Sequence, residues 1–136
     1  TRAAAADPGK WLVLPEIISK EPLGPLVRHG DHQWGDVVRW SLNAMIIAEE
    51  LGVTSENVDA QKSSNVPEVL RLLGVEGSYG EMLELAPDWA YQIIKQIGNY
   101  SESYEANVGP DTPLEIARGL NALWTQGGIL YAPPFR

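Results

Sequence analysis

The chain has 136 residues, 10 Lys and Arg against 18 Asp and Glu, a formal net charge of −8 and a pI near 4.6. It holds no Lys/Arg cluster to displace counterions from phosphate, so no nucleic-acid or anionic-membrane partner is expected. It has no cysteine, which excludes disulfides, thiolate metal sites and cysteine nucleophiles. The length suits one domain burying about two thirds of its unfolded surface.

Thr1 to Ala6 reads as the last turns of a helix stopped by Asp7-Pro8-Gly9. A helix that begins uncapped at residue 1 looks truncated. Trp11 to Leu14, and Ile17-Ile18 beyond Pro15, are strand-like but too short to stand alone. Ser19 to Arg28, with Pro22, Gly24 and Pro25, reads as a stiff extended connector that ends in the turn His29-Gly30-Asp31.

Asp31 to Gly52 is the central prediction. Asp31 is a good N-cap, and Trp34, Val37, Val38, Ser41, Leu42, Met45 and Ala48 recur at helical spacing. Trp40, Ile46 and Ile47 form a second apolar patch, so this helix is expected to pack between two layers. Gly52 supplies a left-handed stop. Glu49 and Glu50 lie at the negative end of the helix dipole, either as solvated surface or for a purpose other than helix stability.

Thr54 caps a short segment through Lys62. Asn65 with Glu68 reads as a capping box for a short helix closed by Gly74. Glu76 to Gly80 is a loop and Glu81 to Leu85 a turn. Pro87-Asp88 opens a helix presenting Trp89, Ala90, Ile93, Ile94 and Ile97, which Gly98-Asn99 interrupts. Tyr100 and Tyr104 then share a short helix that stops at Gly109-Pro110. Thr112-Pro113-Leu114-Glu115 is a clear helix start, with Ile116, Ala117, Leu120 and either Leu123 or Trp124 facing inward until Gly127-Gly128. The tail from Ile129, with Pro133-Pro134, cannot be helical, and Tyr131 and Phe135 predict that it lies across the body. The fold class is mostly α with a short β strand pair.

Chemistry-bearing residues are few. His29, His32, Asp31 and Asp36 can be drawn as a metal cluster, but their spacing fits no common zinc pattern and a polar turn leading into a helix N-terminus is the plainer explanation of the same residues. Nothing desolvates a particular carboxylate among Glu49, Glu50, Glu76, Glu81 and Glu84, so solvated surface is the plainer reading than a general acid and base. No nucleophile elbow surrounds Ser41 or Ser101-Glu102-Ser103. The five tryptophans and five tyrosines can stack on a ligand such as a sugar or fill the core. Gly74, Gly77 and Gly80 lack the preceding strand and following lysine of a phosphate loop. No catalytic residue, metal ligand or cofactor is assigned, and the chain is not expected to be an enzyme.

Several long motifs resemble one family. They are Leu14-Pro15-Glu16-Ile17-Ile18-Ser19-Lys20-Glu21-Pro22-Leu23-Gly24-Pro25, Val27-Arg28-His29-Gly30-Asp31, Ala48-Glu49-Glu50-Leu51-Gly52-Val53-Thr54, Arg118-Gly119-Leu120-Asn121-Ala122-Leu123-Trp124 and Tyr131-Ala132-Pro133-Pro134. With Trp34, Asp88-Trp89-Ala90 and Gly98-Asn99-Tyr100, they make the whole chain similar to the C-terminal part of the periplasmic general L-amino-acid-binding proteins of bacterial ABC transporters.

The resemblance implies a fragment of a two-lobed α/β periplasmic binding protein of type II-like fold, with the amino acid held between the lobes. It assigns residues 1–18 to the end of lobe two, 19–30 to the hinge crossover, 31–109 to the C-terminal helices of lobe one and 110–136 to a C-terminal helix and tail extension. It also implies an L-amino acid ligand, a membrane permease as partner and a periplasmic location. The family's arginine and aspartate for the ligand's carboxylate and amine fall upstream of Thr1. The ligand-binding candidates left in this chain are therefore the hinge-adjacent Ser19, Lys20 and Glu21, for which a structural role is an equal reading. Lone strands would expose unpaired backbone groups, so the fragment is expected either to oligomerise or to be part of a larger protein. The alternative is a free-standing helical interaction module that no longer binds ligand.

Overall fold

A computed structural model describes residues 4–16, 18, 19 and 22–135. Its order comes from α1 (His32–Glu50), α2 (Val58–Gln61), α3 (Pro67–Leu72), α4 (Trp89–Ile97) and α5 (Tyr100–Asn107), with short 3-10 turns before α1, between α3 and α4 and after α5. Among the described residues no helix is long and apolar enough to cross a membrane.

The central helix begins and ends as its sequence dictates. The Trp34 amide donates to the Asp31 carboxylate at 3.1 Å, satisfying one of the orphan donors of the first turn. At the other end Gly52 takes φ +68°, the Val53 amide returns to the Ala48 carbonyl at 2.8 Å and the Gly52 amide to Glu49 at 3.1 Å. That pair of bonds is a Schellman stop. Gly74 closes α3 the same way, with φ +70° and the Val75 amide on the Leu70 carbonyl.

α1 packs against α3, α4, α5 and the 3-10 turn Glu81–Leu83, so it is central as expected. The buried residues differ from the predicted stripe. Ala44, Ile46, Ile47 and Ala48 are buried, whereas Trp34 is exposed and Val37, Val38 and Leu42 are half-buried. Burial runs all round the C-terminal half of the helix because α3 to α5 cover one side and the chain's tail covers another. The first half is covered on one side at most. Leu72, Leu73, Val69, Ala90, Ile94 and Trp89 complete the core, while Ile97 is exposed.

α5 starts with a full capping box. Asn99 Oδ1 accepts from the Glu102 amide at 3.0 Å and the Glu102 carboxylate accepts from the Asn99 amide at 2.8 Å. α3 has no side-chain cap; its N-cap is Val66, whose amide donates to Ser64 Oγ, so Asn65 does not play the part expected of it.

Three local expectations change. Residues 11–14 are extended but exposed and without a ladder, and Ile17 lies outside the described residues. The described strand-type pairing is a single parallel bridge between Leu123 and Leu130. A strand needs a partner for its donors and acceptors, and nothing described runs alongside residues 11–14 or 26–28. Ala5 to Asp7 form bends rather than the end of a helix, and Thr1 to Ala3 lie outside the described residues.

The expected helix after Thr112 does not form either. Thr112 Oγ1 accepts from the Leu114 amide, two residues on, and donates to the Gly109 carbonyl, making a local turn. Glu115 then takes φ +50° and the Ile116 amide turns back to the Val108 carbonyl at 3.0 Å. Only 3-10 turns at Gly119–Asn121 and Trp124–Gln126 remain, and of the four residues expected inward only Leu123 is buried.

Candidate functional site

Of the three hinge-adjacent candidates, Ser19 is exposed on extended backbone, and Lys20 and Glu21 lie outside the described residues. The segment then turns at Arg28 to Asp31, where Gly30 takes φ +85° and the Asp31 amide reaches the Arg28 carbonyl at 3.2 Å. An open hollow of about 440 Å³ beside this turn is edged by Arg28, His29, His32, Asp36 and Arg39. Asp31 is committed to capping α1, and among the described residues no group of three or more His, Asp or Glu is placed to hold a metal ion. The polar-turn reading of these residues fits the geometry.

The densest polar chemistry is at the C-terminal end of α1. Arg118 Nη2 donates to both carboxylate oxygens of Glu49, at 2.9 and 3.0 Å, with the two side chains only 15% and 8% exposed. The same guanidinium lies 5.3 Å from the ring centres of Tyr100 and Tyr104, close enough for cation–π attraction. Burial pushes the Tyr100 phenol above its usual pKa. Beside it the Trp124 indole N–H donates to Glu50 at 3.1 Å. Glu49 is thus not solvated surface, whereas Glu50 is exposed; both fasten residues 118–124 onto α1. Next to them Glu102, besides capping α5, accepts from the Ser55 amide at 3.1 Å and the Ser55 hydroxyl at 2.6 Å.

A second cluster, on the surface, ties α2 to α4. Asp59 accepts from Lys95 Nζ at 2.7 Å and from the Tyr91 hydroxyl at 2.8 Å, and Lys62 Nζ sits 3.4 Å above the Tyr91 ring. Those two hydrogen bonds, that from Lys95 first, hold the Asp59 carboxyl below its usual pKa, and the Asp59 carboxylate raises those of Lys95 and Tyr91.

The aromatic residues divide between roles. Trp89 is buried and Trp40 partly buried, and with Tyr79 they surround Phe135 at 5.3 to 6.0 Å between ring centres. Trp11, Trp34 and Trp124 are exposed. The tail lies across the body as expected, with Ala132 and Phe135 buried and the Phe135 carbonyl accepting from Arg71 Nε at 3.2 Å.

The geometry defines a helical body with a bare extended arm and a pinned tail. No family model matches the chain. It is 57% identical, over 99% of its length, to the putative amino-acid ABC transporter-binding protein YhdW of Escherichia coli strain K12. It is 53% identical over its full length to the glutamate/glutamine/aspartate/asparagine-binding protein BztA of Rhodobacter capsulatus, and 54% identical over 99% to the general L-amino acid-binding periplasmic protein AapJ of Rhizobium johnstonii. In each case it covers 40% of the relative.

A solved ABC transporter periplasmic binding protein from Brucella ovis, with glutathione bound, matches 99% of the chain with a TM-score of 0.92 and 52% identity, and the chain covers 43% of it. The chain is thus a relative, along its whole length, of part of the amino-acid-binding proteins of ABC transporters. It spans about two fifths of their length. These relatives are binding proteins of transporters, not enzymes.

Proposed function

We propose that this chain is part of a periplasmic receptor that captures an L-amino acid by closure of two lobes and delivers it to a membrane permease. The observation that carries this reading is identity above 50% along the whole chain to three amino-acid-binding proteins. In this reading residues 1–18 end lobe two, 19–30 are the hinge crossover, 31–109 are helices of lobe one and 110–136 are an extension packed on it. Ser19, Lys20 and Glu21 are then the residues of this chain nearest the ligand, and rotation is absorbed across Ser19 to Arg28.

The exposed apolar side chains of the arm support the reading. Leu12, Ile18, Leu23 and Leu26 are almost fully accessible, and such a run calls for cover by other parts of a longer protein. The ligand class follows from shared chemistry. Glutathione, bound by the Brucella relative, carries at its γ-glutamyl end the same ammonium and carboxylate on one carbon as a free amino acid.

Isothermal titration of L-glutamate, L-leucine and glutathione into the receptor that contains this chain, and into residues 1–136 alone, tests the proposal. Saturable heat is expected with the receptor and at least one ligand, and none with residues 1–136. Equal binding by residues 1–136 alone, or no binding of any of the three by the receptor, would overturn it.

A further inference from the structure

The end of the tail contributes two side chains to the core, Ala132 and Phe135. Among the described residues, backbone pairing of the tail stops at Leu130, whose amide donates to the Ala122 carbonyl and whose carbonyl accepts from Trp124. Beyond it the chain is held by the Ala132 side chain, the Phe135 ring among Trp40, Tyr79 and Trp89, and the bond from Arg71 to the Phe135 carbonyl. Unfilled space remains on both sides of it. A cavity of about 280 Å³ lies toward Trp40, Tyr79 and Met82, another of about 170 Å³ lies toward Ile47 and Glu68, and Pro134 and Phe135 border both. Both hollows open to solvent, so the segment lies in a groove with room on either side of it.

The helices behind that groove also pack on one another. α1 is packed directly on α3 and α4 through Ala44, Leu72, Ala90 and Ile94, all nearly or fully buried. Pro133 and Pro134 fix two backbone torsions before docking, so the segment loses little entropy when it seats. Proline-rich peptides dock in aromatic-lined grooves for the same reason.

We propose that Ala132–Phe135 is a peptide ligand held in cis, a latch that can leave its aromatic groove and be replaced by the same segment supplied in trans. The occupant is this chain's own Tyr-Ala-Pro-Pro-Phe sequence, with the phenylalanine as anchor and Arg71 reading the backbone carbonyl beside it. The inference is independent of amino-acid binding.

The test uses the full chain carrying Phe135→Ala, titrated with the synthetic peptide Leu-Tyr-Ala-Pro-Pro-Phe while following fluorescence of Trp40 and Trp89. A saturable change is expected, at least tenfold weaker for a peptide ending in alanine and at least tenfold weaker for the wild-type chain, whose groove is occupied. No response from a Phe135→Ala chain of unchanged helix content, or the same response to both peptides, would overturn the latch. Where Phe135→Ala loses helix content, Pro134→Gly decides. It leaves every groove wall intact and loosens only the chain's own tail. Several-fold tighter peptide binding than by the wild type is expected, and equal binding would overturn the proposal.

Discussion

The arm before α1 and the tail after α5 are alike in having no α-helix and many apolar side chains, yet one is bare and the other is pinned. From Ala6 to Gly30 every described residue is exposed, including Trp11, Leu12, Leu14, Ile18, Leu23 and Leu26. In the tail Leu123, Ala132 and Phe135 are buried and Arg118 is nearly so. What separates the two is the surface each can reach. The tail meets two carboxylates at the end of α1 and an aromatic nest between α1, the Tyr79 turn and α4, which fasten Arg118, Trp124 and Phe135 while Leu120, Ile129 and Tyr131 stay exposed. The arm meets no such surface among the described residues. Apolar content alone therefore does not bury a segment; complementary chemistry on the facing element does.

One substitution made in two places breaks or sharpens this contrast most strongly. Leu72→Ala, at a position 2% exposed, opens a cavity beneath α1 and is expected to cost roughly 3–4 kcal/mol. Leu26→Ala, at a position 98% exposed, is expected to change stability by less than about 0.5 kcal/mol. Urea denaturation of the two variants beside the wild-type chain measures both. A Leu26→Ala cost approaching that of Leu72→Ala would mean that the arm is packed in solution and that the contrast between arm and body is false.

The next largest effect concerns the pin of the tail. Glu49→Ala leaves the Arg118 guanidinium largely buried without its bidentate partner, and about 2–3 kcal/mol should be lost. The double variant Glu49→Leu with Arg118→Met removes both charges and should recover most of that loss, because a buried pair is costly to break and much less costly to replace. A double-mutant cycle by denaturation should give a coupling of about 2 kcal/mol. Coupling near zero would show that the Glu49–Arg118 pair contributes nothing to holding the tail.

These two regions also mark where sequence reasoning reaches and where it stops. The ends of α1 were legible because Asp31 and Gly52 act within a few residues of themselves, through a side-chain cap and a left-handed turn. The Asn99 and Glu102 box carries a readable signature as well, obscured because Gly98-Asn99 reads as an interruption rather than a start. The false helix at Thr112 shows the limit of such signals. Its cap, proline and glutamate are all in place, but Thr112 bonds two residues on and Glu115 turns left-handed, and Arg118 is drawn to a partner 69 positions earlier. Periodicity placed α1 at the centre, and its second apolar patch marked Ile46 and Ile47, which are buried; it missed that Trp34 is exposed and that Val37, Val38 and Leu42 are only half-buried, because spacing does not show where along a helix the cover ends. Of the candidate site, only the family resemblance was readable. The residues of this chain assigned to the hinge carry no local chemistry that identifies a ligand.

The smallest expected effect sits on the surface between α2 and α4, where the contacts are as specific as those of the tail but open to water. Asp59 is held below its usual pKa by hydrogen bonds from Lys95 and Tyr91, so its contribution to stability is present above the unfolded carboxylate's pKa and is lost as pH falls through the lower folded value. Lys95 is raised, so its contribution is present below the unfolded lysine pKa and is lost as pH rises through the higher folded one. Asp59→Asn should therefore melt below the wild type near neutral pH, with the gap closing at the acid end, below the ordinary aspartate pKa, and again at strongly alkaline pH. Added salt should narrow the gap throughout, because exposed charges are screened. Melting temperatures of both proteins across the pH range, at low and high salt, check this. A gap that stays constant with pH and salt would mean that Asp59 acts through shape rather than charge. The rule that buried pairing distinguishes tail from arm would then extend to the surface as geometry alone.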